Sequence, residues 1–193
     1  MLRAELDQRI SERMNIKAIS EGVELVARAR RYATKKHEGQ EYGNGVPYTT
    51  HLEDVESILI EFNHISSILR AAAWLHDVLE DVLTRQEQRE QFKLDFPGYL
   101  NQIIEAVTAE PGKNRKERNI KTYPKIAALE LAIVVKLADR IANGRAAKRK
   151  PDTKFYEMYK QEYPEFRAAL YASNIDTMPM WWELDRLFEY QGV

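Results

Sequence analysis

The chain of 193 residues carries 29 Lys and Arg against 30 Asp and Glu, a formal net charge of −1, with 44% hydrophobic and 31% charged residues. That is ordinary globular composition, enough for one domain with its own core, and it excludes a nucleic acid or an anionic membrane recognised by overall charge. Cysteine is absent, which excludes disulfides, thiolate metal sites and a cysteine nucleophile, and fits a reducing compartment.

The first 17 residues hold Glu5, Asp7 and Glu12 and no continuous apolar segment, so they do not read as a signal peptide. No run approaches the roughly 18 apolar residues of a membrane-spanning helix. The expectation is a cytoplasmic protein with no membrane and no nucleic-acid partner. Leu2, Leu6, Ile10 and Met14 recur at four-residue spacing, predicting an accessory helix over residues 1–17 that packs on the domain or on a second subunit; a homo-oligomer stays open. Ser20 then reads as the N-cap of a second helix, with Leu25, Val26, Ala29, Tyr32 and Ala33 on one face, Lys35, Lys36 and His37 in its last turn and Gly39 as its stop. Residues 39–50, GQEYGNGVPYTT, are a loop, and His51 opens a helix carrying Val55, Ile58, Leu59 and Phe62.

The stretch from about Ser66 to Asp81 is the helix around which the chain is organised. Ala71, Ala72, Leu75, Val78 and Leu79 form an apolar face, and His76, Asp77, Glu80 and Asp81 are set into it. Charges taken out of water need partners or a metal, so four ionisable groups on such a helix point to a metal site. Thr84 is expected to cap a polar helix to about Phe96, and Pro97 to begin the next, with Ile103, Ile104 and Val107. Residues 111–123 are the basic outlier, with Lys113, Arg115, Lys116, Arg118 and Lys121 against Glu117 alone. Pro124 is expected to begin the last long helix, which bears Asp139, Arg140 and Asn143 and ends at Pro151. The tail reads as shorter helices separated by Pro164 and Pro179, closing with Trp181, Trp182, Leu184, Leu187 and Phe188. For residues 131–138, LAIVVKLA, a buried strand competes with helix, and length and flanks favour helix. The fold class is all-α, a single domain over 1–193 with a core at about 20–175 and an aromatic C-terminal helix over 177–190.

His51, the pair His76 and Asp77, and Asp139 are the metal-type donors on three separated segments. Two imidazoles and two carboxylates suit manganese, iron or another first-row divalent ion better than structural zinc, which favours Cys or more His.

In order and spacing, His51, His76-Asp77 and Asp139 resemble the HD superfamily of metal-dependent phosphohydrolases. KKHEGQ with PYTTH, then AAWLHDVLED, then VVKLADRIANGR are similar to the hydrolase domain of RelA/SpoT-type alarmone enzymes and to the small alarmone hydrolases, over roughly residues 25–160. The resemblance implies a helical bundle with one Mn²⁺ held by His51, His76, Asp77 and Asp139, Glu80 and Asp81 as the pair that positions the attacking water, and Asn143 at a nucleotide contact. It implies removal of pyrophosphate from the 3′ position of guanosine tetra- or pentaphosphate and, with no synthetase segment following, degradation without synthesis. Tyr42 and Gly43 stand where those enzymes carry an Arg-Lys pair that packs on guanine and reaches phosphate, and Leu52 replaces their usual Pro. Tyr42 offers a ring for stacking and no charge.

Lys35, Lys36, Lys116 and Arg140 are candidates for substrate phosphates, and Tyr159 for the pocket wall. Two other readings stay open: an HD phosphatase acting on another phosphorylated nucleotide, such as the 2′-phosphate of NADPH or a nucleoside phosphate, and a nucleotide-binding module without turnover.

Overall fold

The structure, a computed structural model, describes residues 2–43, 45–150, 152–171, 174 and 176–192, with side chains from residue 11 onward. Its elements are α1 (Leu2–Lys36), α2 (Thr49–Glu61), α3 (Ser67–Leu75), a π-helical turn (Val78–Val82), α4 (Gln86–Asp95), α5 (Gly98–Val107), α6 (Arg115–Ala127), α7 (Glu130–Lys148), α8 (Lys154–Leu170) and α9 (Met178–Leu187). No strand occurs among the described residues, only a single antiparallel bridge between Glu41 and Pro47 that pins the loop before α2. The all-α expectation holds.

The bundle is built around α7. Twelve of its nineteen residues are buried, from Ala132 through Ala147, and it packs against α2, α3, α5, α6, α8 and α9. A helix apolar on nearly every side belongs at the centre of a core. The segment LAIVVKLA is therefore helix. At Gly144 the packing is closest: a Cβ there would stand 2.5 Å from Leu187 Cδ2 and 2.8 Å from Phe188 Cζ on the C-terminal segment. Trp181 and Leu184 complete that contact, both fully buried, whereas Trp182 is exposed.

Several expected boundaries move. The accessory helix and the helix from Ser20 are one continuous α1, because nothing from residue 15 to 20 breaks the hydrogen-bond ladder; Ser20 is interior and exposed. Leu25, Val26, Ala29 and Ala33 bury its second half along α3, while Met14 is 68% exposed, so at that position the stripe packs on no other part of the domain. The side chains of Leu2, Leu6 and Ile10 lie outside the described set. Gly39, with φ +79°, closes the turn after α1 as expected. α2 starts at Thr49, two residues before His51.

Thr84 caps nothing: α4 begins after Arg85, whose backbone N–H is taken by the Gln88 side chain at 3.2 Å. Pro97 precedes α5 at its N-cap. Pro124 does not open the long helix but sits within α6, where Asn114 is the cap and accepts from Glu117 N. The bond that Pro124 cannot donate is lost one turn from Ile120, which is 59% exposed and so within reach of water. Pro164 likewise lies inside α8, and Pro179 sits in the first turn of α9, where a proline is tolerated. α7 ends at Lys148, and Pro151, its expected stop, lies outside the described residues.

The largest departure is in the organising helix. α3, capped by Ser66, ends at Leu75; His76 and Asp77 form a turn, and residues 78–82 wind as a π-turn closed by Leu83 N to Val78 O at 2.8 Å. Asp81 N still bonds Asp77 O at 2.9 Å, one regular turn on, and the wider step comes after it, where Leu83 reaches back five residues.

Candidate metal centre

Three segments bring the donors together. His51 lies in the first turn of α2, His76 and Asp77 lie at the end of α3, and Asp139 comes from the middle of α7. Both imidazoles are 2% exposed. One ligand atom each from His51, His76 and Asp77 lies within 4.8 Å of the others. Asp139 joins through the imidazoles, its Oδ1 3.4 Å from His51 Nε2 and 3.9 Å from His76 Nε2.

The end of α3 sets the chemistry of His76. At the open C-terminus of that helix the Ala73 carbonyl accepts from His76 Nδ1 at 2.8 Å, so Nδ1 carries a proton. Nε2 then presents a lone pair to Asp77 Oδ2 at 2.9 Å. Acceptor faces acceptor in a buried pocket, an arrangement that requires a positive charge between them. In the protein alone a proton fills that role: burial would depress the His76 pKa, but Asp77 and Asp139 lift it to about 9. Burial would raise Asp77, and the two histidines hold it below the ordinary carboxylate range. Asp139 is also held well below that range against its burial, first by Lys136 and then by His51 and His76. A divalent cation fits this donor set as the natural replacement for the proton.

A second layer orients the donors. Tyr48 donates to Asp77 Oδ2 at 2.7 Å, Asn143 Nδ2 donates to Asp139 Oδ1, and Tyr42 donates to Asn143 Oδ1 at 2.7 Å while its ring stacks on His51 at 4.8 Å. Burial and the Asp77 carboxylate keep the Tyr48 phenol protonated, its pKa far above the usual value. Lys136 stands 2.7 Å from the other oxygen of Asp139. Gln40 donates to Asp81 Oδ2 at 2.8 Å and accepts from His37 Nδ1 at 2.7 Å; the His37 ring stacks on Tyr48 at 4.7 Å. Sequence reasoning gave no role to Lys136, Gln40 or Tyr48. The signals were present: Lys136 is one turn before Asp139, and the other two lie within the quoted loop motifs.

Glu80 has partners of its own. Its carboxylate accepts from Ala109 N at 3.1 Å and lies 3.8 Å from Arg118 on α6, so the acidic pair is divided between the α5–α6 connection and the Gln40 loop. Among the candidate cations, Arg140 is 3% exposed, bonded to Glu162 at 3.2 Å and laid over the rings of Tyr159 and Phe166. Lys116 is on the surface with Glu165 at 2.9 Å, Lys36 lies over Tyr32, and Lys35 is exposed. No described contact joins Lys35, Lys36 or Lys116 to the cluster. Beside the cluster opens a cavity of about 240 Å³ lined by Tyr42, Asn143, Tyr159 and their neighbours.

This fold and this cluster define a helical domain with a His and Asp cluster between three of its segments that could hold a metal ion. The chain belongs to the HD-domain family, whose model, described as "HD domain", matches residues 29–172. It is 32% identical over 181 residues to the guanosine-3′,5′-bis(diphosphate) 3′-pyrophosphohydrolase MESH1 of Mus musculus, covering 90% of this chain and 98% of that protein. The Xenopus tropicalis protein of the same name is 30% identical over 182 residues, 91% of this chain and 99% of that one. In three dimensions the chain is similar to a solved structure reported as a metazoan ortholog of SpoT that hydrolyzes ppGpp, with a TM-score of 0.73 and 23% identity over 87% of this chain and 96% of that one, a likeness of fold.

Proposed function

We propose that this protein is a metal-dependent phosphohydrolase that removes pyrophosphate from the 3′ position of guanosine 3′,5′-bis(diphosphate). The observation that carries the metal-dependent part is the buried Nε2 lone pair of His76 facing Asp77 Oδ2 at 2.9 Å with His51 and Asp139 alongside. The substrate rests on the relatives from Mus musculus and Xenopus tropicalis, matched over nearly their whole length.

His51, His76, Asp77 and Asp139 are the proposed ligands, and their mixed nitrogen and oxygen character favours Mn²⁺. Such an ion, when bound, supplies Lewis acidity and lowers the pKa of water at the site. Glu80 and Asp81 position the attacking water and take its proton. Gln40 holds Asp81 through Oδ2, and the Ala109 N–H holds Glu80 through Oε2 with Arg118 3.8 Å from its Oε1. The water oxygen bonds to the phosphorus nearest the ribose, the bond from that phosphorus to the 3′ oxygen breaks, and the 3′ oxygen leaves as a hydroxyl. The products are GDP and pyrophosphate. Lys136 and Arg118 are the cations next to the proposed machinery, suited to charge developing on the phosphoryl oxygens. Asn143, Tyr42 and Tyr159 border the nucleotide. A single domain in the cytoplasm completes the reading; among the described residues no helix is long and apolar enough to cross a membrane.

A second reading, a phosphatase of another phosphorylated nucleotide, is favoured by one observation: position 43 is a glycine at φ +87° and position 42 a tyrosine, so this loop offers the ligand no positive charge. Incubating the protein and Mn²⁺ with the bis(diphosphate) and with a panel of other nucleotides, with phosphate and pyrophosphate assayed separately, decides between them. GDP and pyrophosphate are expected; an intact bis(diphosphate) would overturn the reading.

A further inference from the structure

Among the described residues lining the cavity beside the metal ligands Lys150 is the one basic side chain, and the basic residues of α6 and α7 named as candidates or found in ion pairs are committed elsewhere. Arg115 and Arg140 bond Glu162, Lys136 bonds Asp139, and Arg145 holds Glu61 and Glu183. Lys150 is different. Its backbone N–H is tied to Ala147 O just past α7, yet among the described residues its ammonium makes no hydrogen bond or ion pair. Glu41, which lines the same cavity, is turned to the backbone N–H of Gly45 at 3.1 Å.

Position matters as much as freedom. Lys150 Nζ lies 5.5 Å over the Tyr42 ring, and a Cβ on Gly43 would touch it at 3.6 Å. The Tyr42 ring is also stacked on His51 at 4.8 Å with 16° between the planes. Lys150 is thus held one aromatic ring away from the metal ligands. A cation there does not reach a phosphorus held at the metal, but it does border the cavity. That cavity, about 240 Å³, has an apolar wall of Ala146, Ala147 and Phe155, the last 51% exposed at the rim. It is smaller than the roughly 300–1,000 Å³ that encloses a whole drug-sized ligand, so it accommodates a part of one.

We propose that Lys150 binds the anionic group of the nucleotide that is not cleaved, the 5′-diphosphate, while the base lies against the Phe155 wall. The inference rests on the reading of the site as a nucleotide pyrophosphohydrolase and adds to it the residue that senses the second phosphate arm. The ammonium's contact with Tyr42 is weak, and a phosphate oxygen, forming charge-assisted hydrogen bonds, outcompetes it.

The test is equilibrium binding of GDP and of guanosine to the Mn²⁺-loaded protein and to its Lys150→Ala and Lys150→Arg variants. Lys150→Ala is expected to weaken GDP about tenfold or more, with Lys150→Arg restoring most of it and guanosine unchanged. In steady-state hydrolysis of the bis(diphosphate), Lys150→Ala raises KM while kcat stays within about twofold. Equal GDP affinity in wild type and Lys150→Ala, no GDP binding by wild type, or an equal loss for guanosine would each overturn the proposal. Wild-type protein that binds GDP through Lys150 but leaves the bis(diphosphate) intact would overturn the proposed function and leave this inference standing.

Discussion

Nε2 of His76 lies 2.9 Å from Oδ2 of Asp77, and the ring's other nitrogen already donates to the Ala73 carbonyl. Both atoms are acceptors unless a positive charge stands between them; in the protein alone a proton fills that role, and a divalent cation would take it over by displacing the proton. Binding to the native state alone stabilises by mass action, about 2.7 kcal/mol at a hundredfold excess over Kd. For a chain of this size that corresponds to a rise in Tm of about 5–10 °C. Mn²⁺ should produce that rise in the wild type, and His76→Ala or Asp139→Asn should remove it. A thermal melt with and without Mn²⁺ checks it, and an equal rise in the variants would refute the assignment.

Glu80 and Asp81 should matter to turnover and not to metal. Each has one carboxylate oxygen held by a neighbour, the Ala109 N–H or the Gln40 amide. Glu80→Ala and Asp81→Ala should each lower kcat by about 10²–10⁴, the range of general acid–base catalysis, with Mn²⁺ affinity unchanged by calorimetry. A variant with unaltered kcat would take that residue out of the mechanism.

The contact between α7 and α9 leaves no room for a methyl group. With a Cβ at position 144 only 2.5 Å from Leu187 Cδ2, Gly144→Ala should cost about 1–3 kcal/mol despite the better helix propensity of alanine. Urea unfolding measures it; a neutral or stabilising effect would show that α9 shifts freely.

Arg145 clamps Glu61 through two bonds, of 2.7 and 2.9 Å, and those hydrogen bonds set its carboxyl below the ordinary 4.5. A lowered folded pKa gives stability that is complete above the unfolded value and is lost as pH falls through the folded one. Glu61→Gln should therefore flatten the acid limb of the stability curve below about pH 4.5. The change stays under about 1 kcal/mol because the pair is partly exposed and screened. An acid limb identical to wild type would place the pair among ion pairs that contribute nothing.

Much of this protein is legible in its amino-acid order. The 3.6-residue recurrence of apolar side chains made the chain all-α, since burial of one face imposes that period locally. His51, His76-Asp77 and Asp139 stood out because polar donors inside apolar helices carry a cost that structure alone does not repay. Helix ends were less secure. Pro124 and Pro164 tolerate helix interiors when the lost bond can be made to water, and that depends on exposure rather than on residue type.

What only the tertiary structure decided are the relations between residues far apart in the chain. Arg140 and Glu162 are separated by 22 residues, Lys116 and Glu165 by 49, so no local pattern told which cations are already paired and which, like Lys150, have no ion-pair partner among the described residues. The same holds for the Ala73 carbonyl at the end of α3, which fixes the His76 tautomer, and for the Ala109 N–H and the Gln40 amide, which hold Glu80 and Asp81. A side chain's type and spacing are local properties of the sequence, whereas its ionisation, tautomer and free valence are set by whatever the fold packs against it.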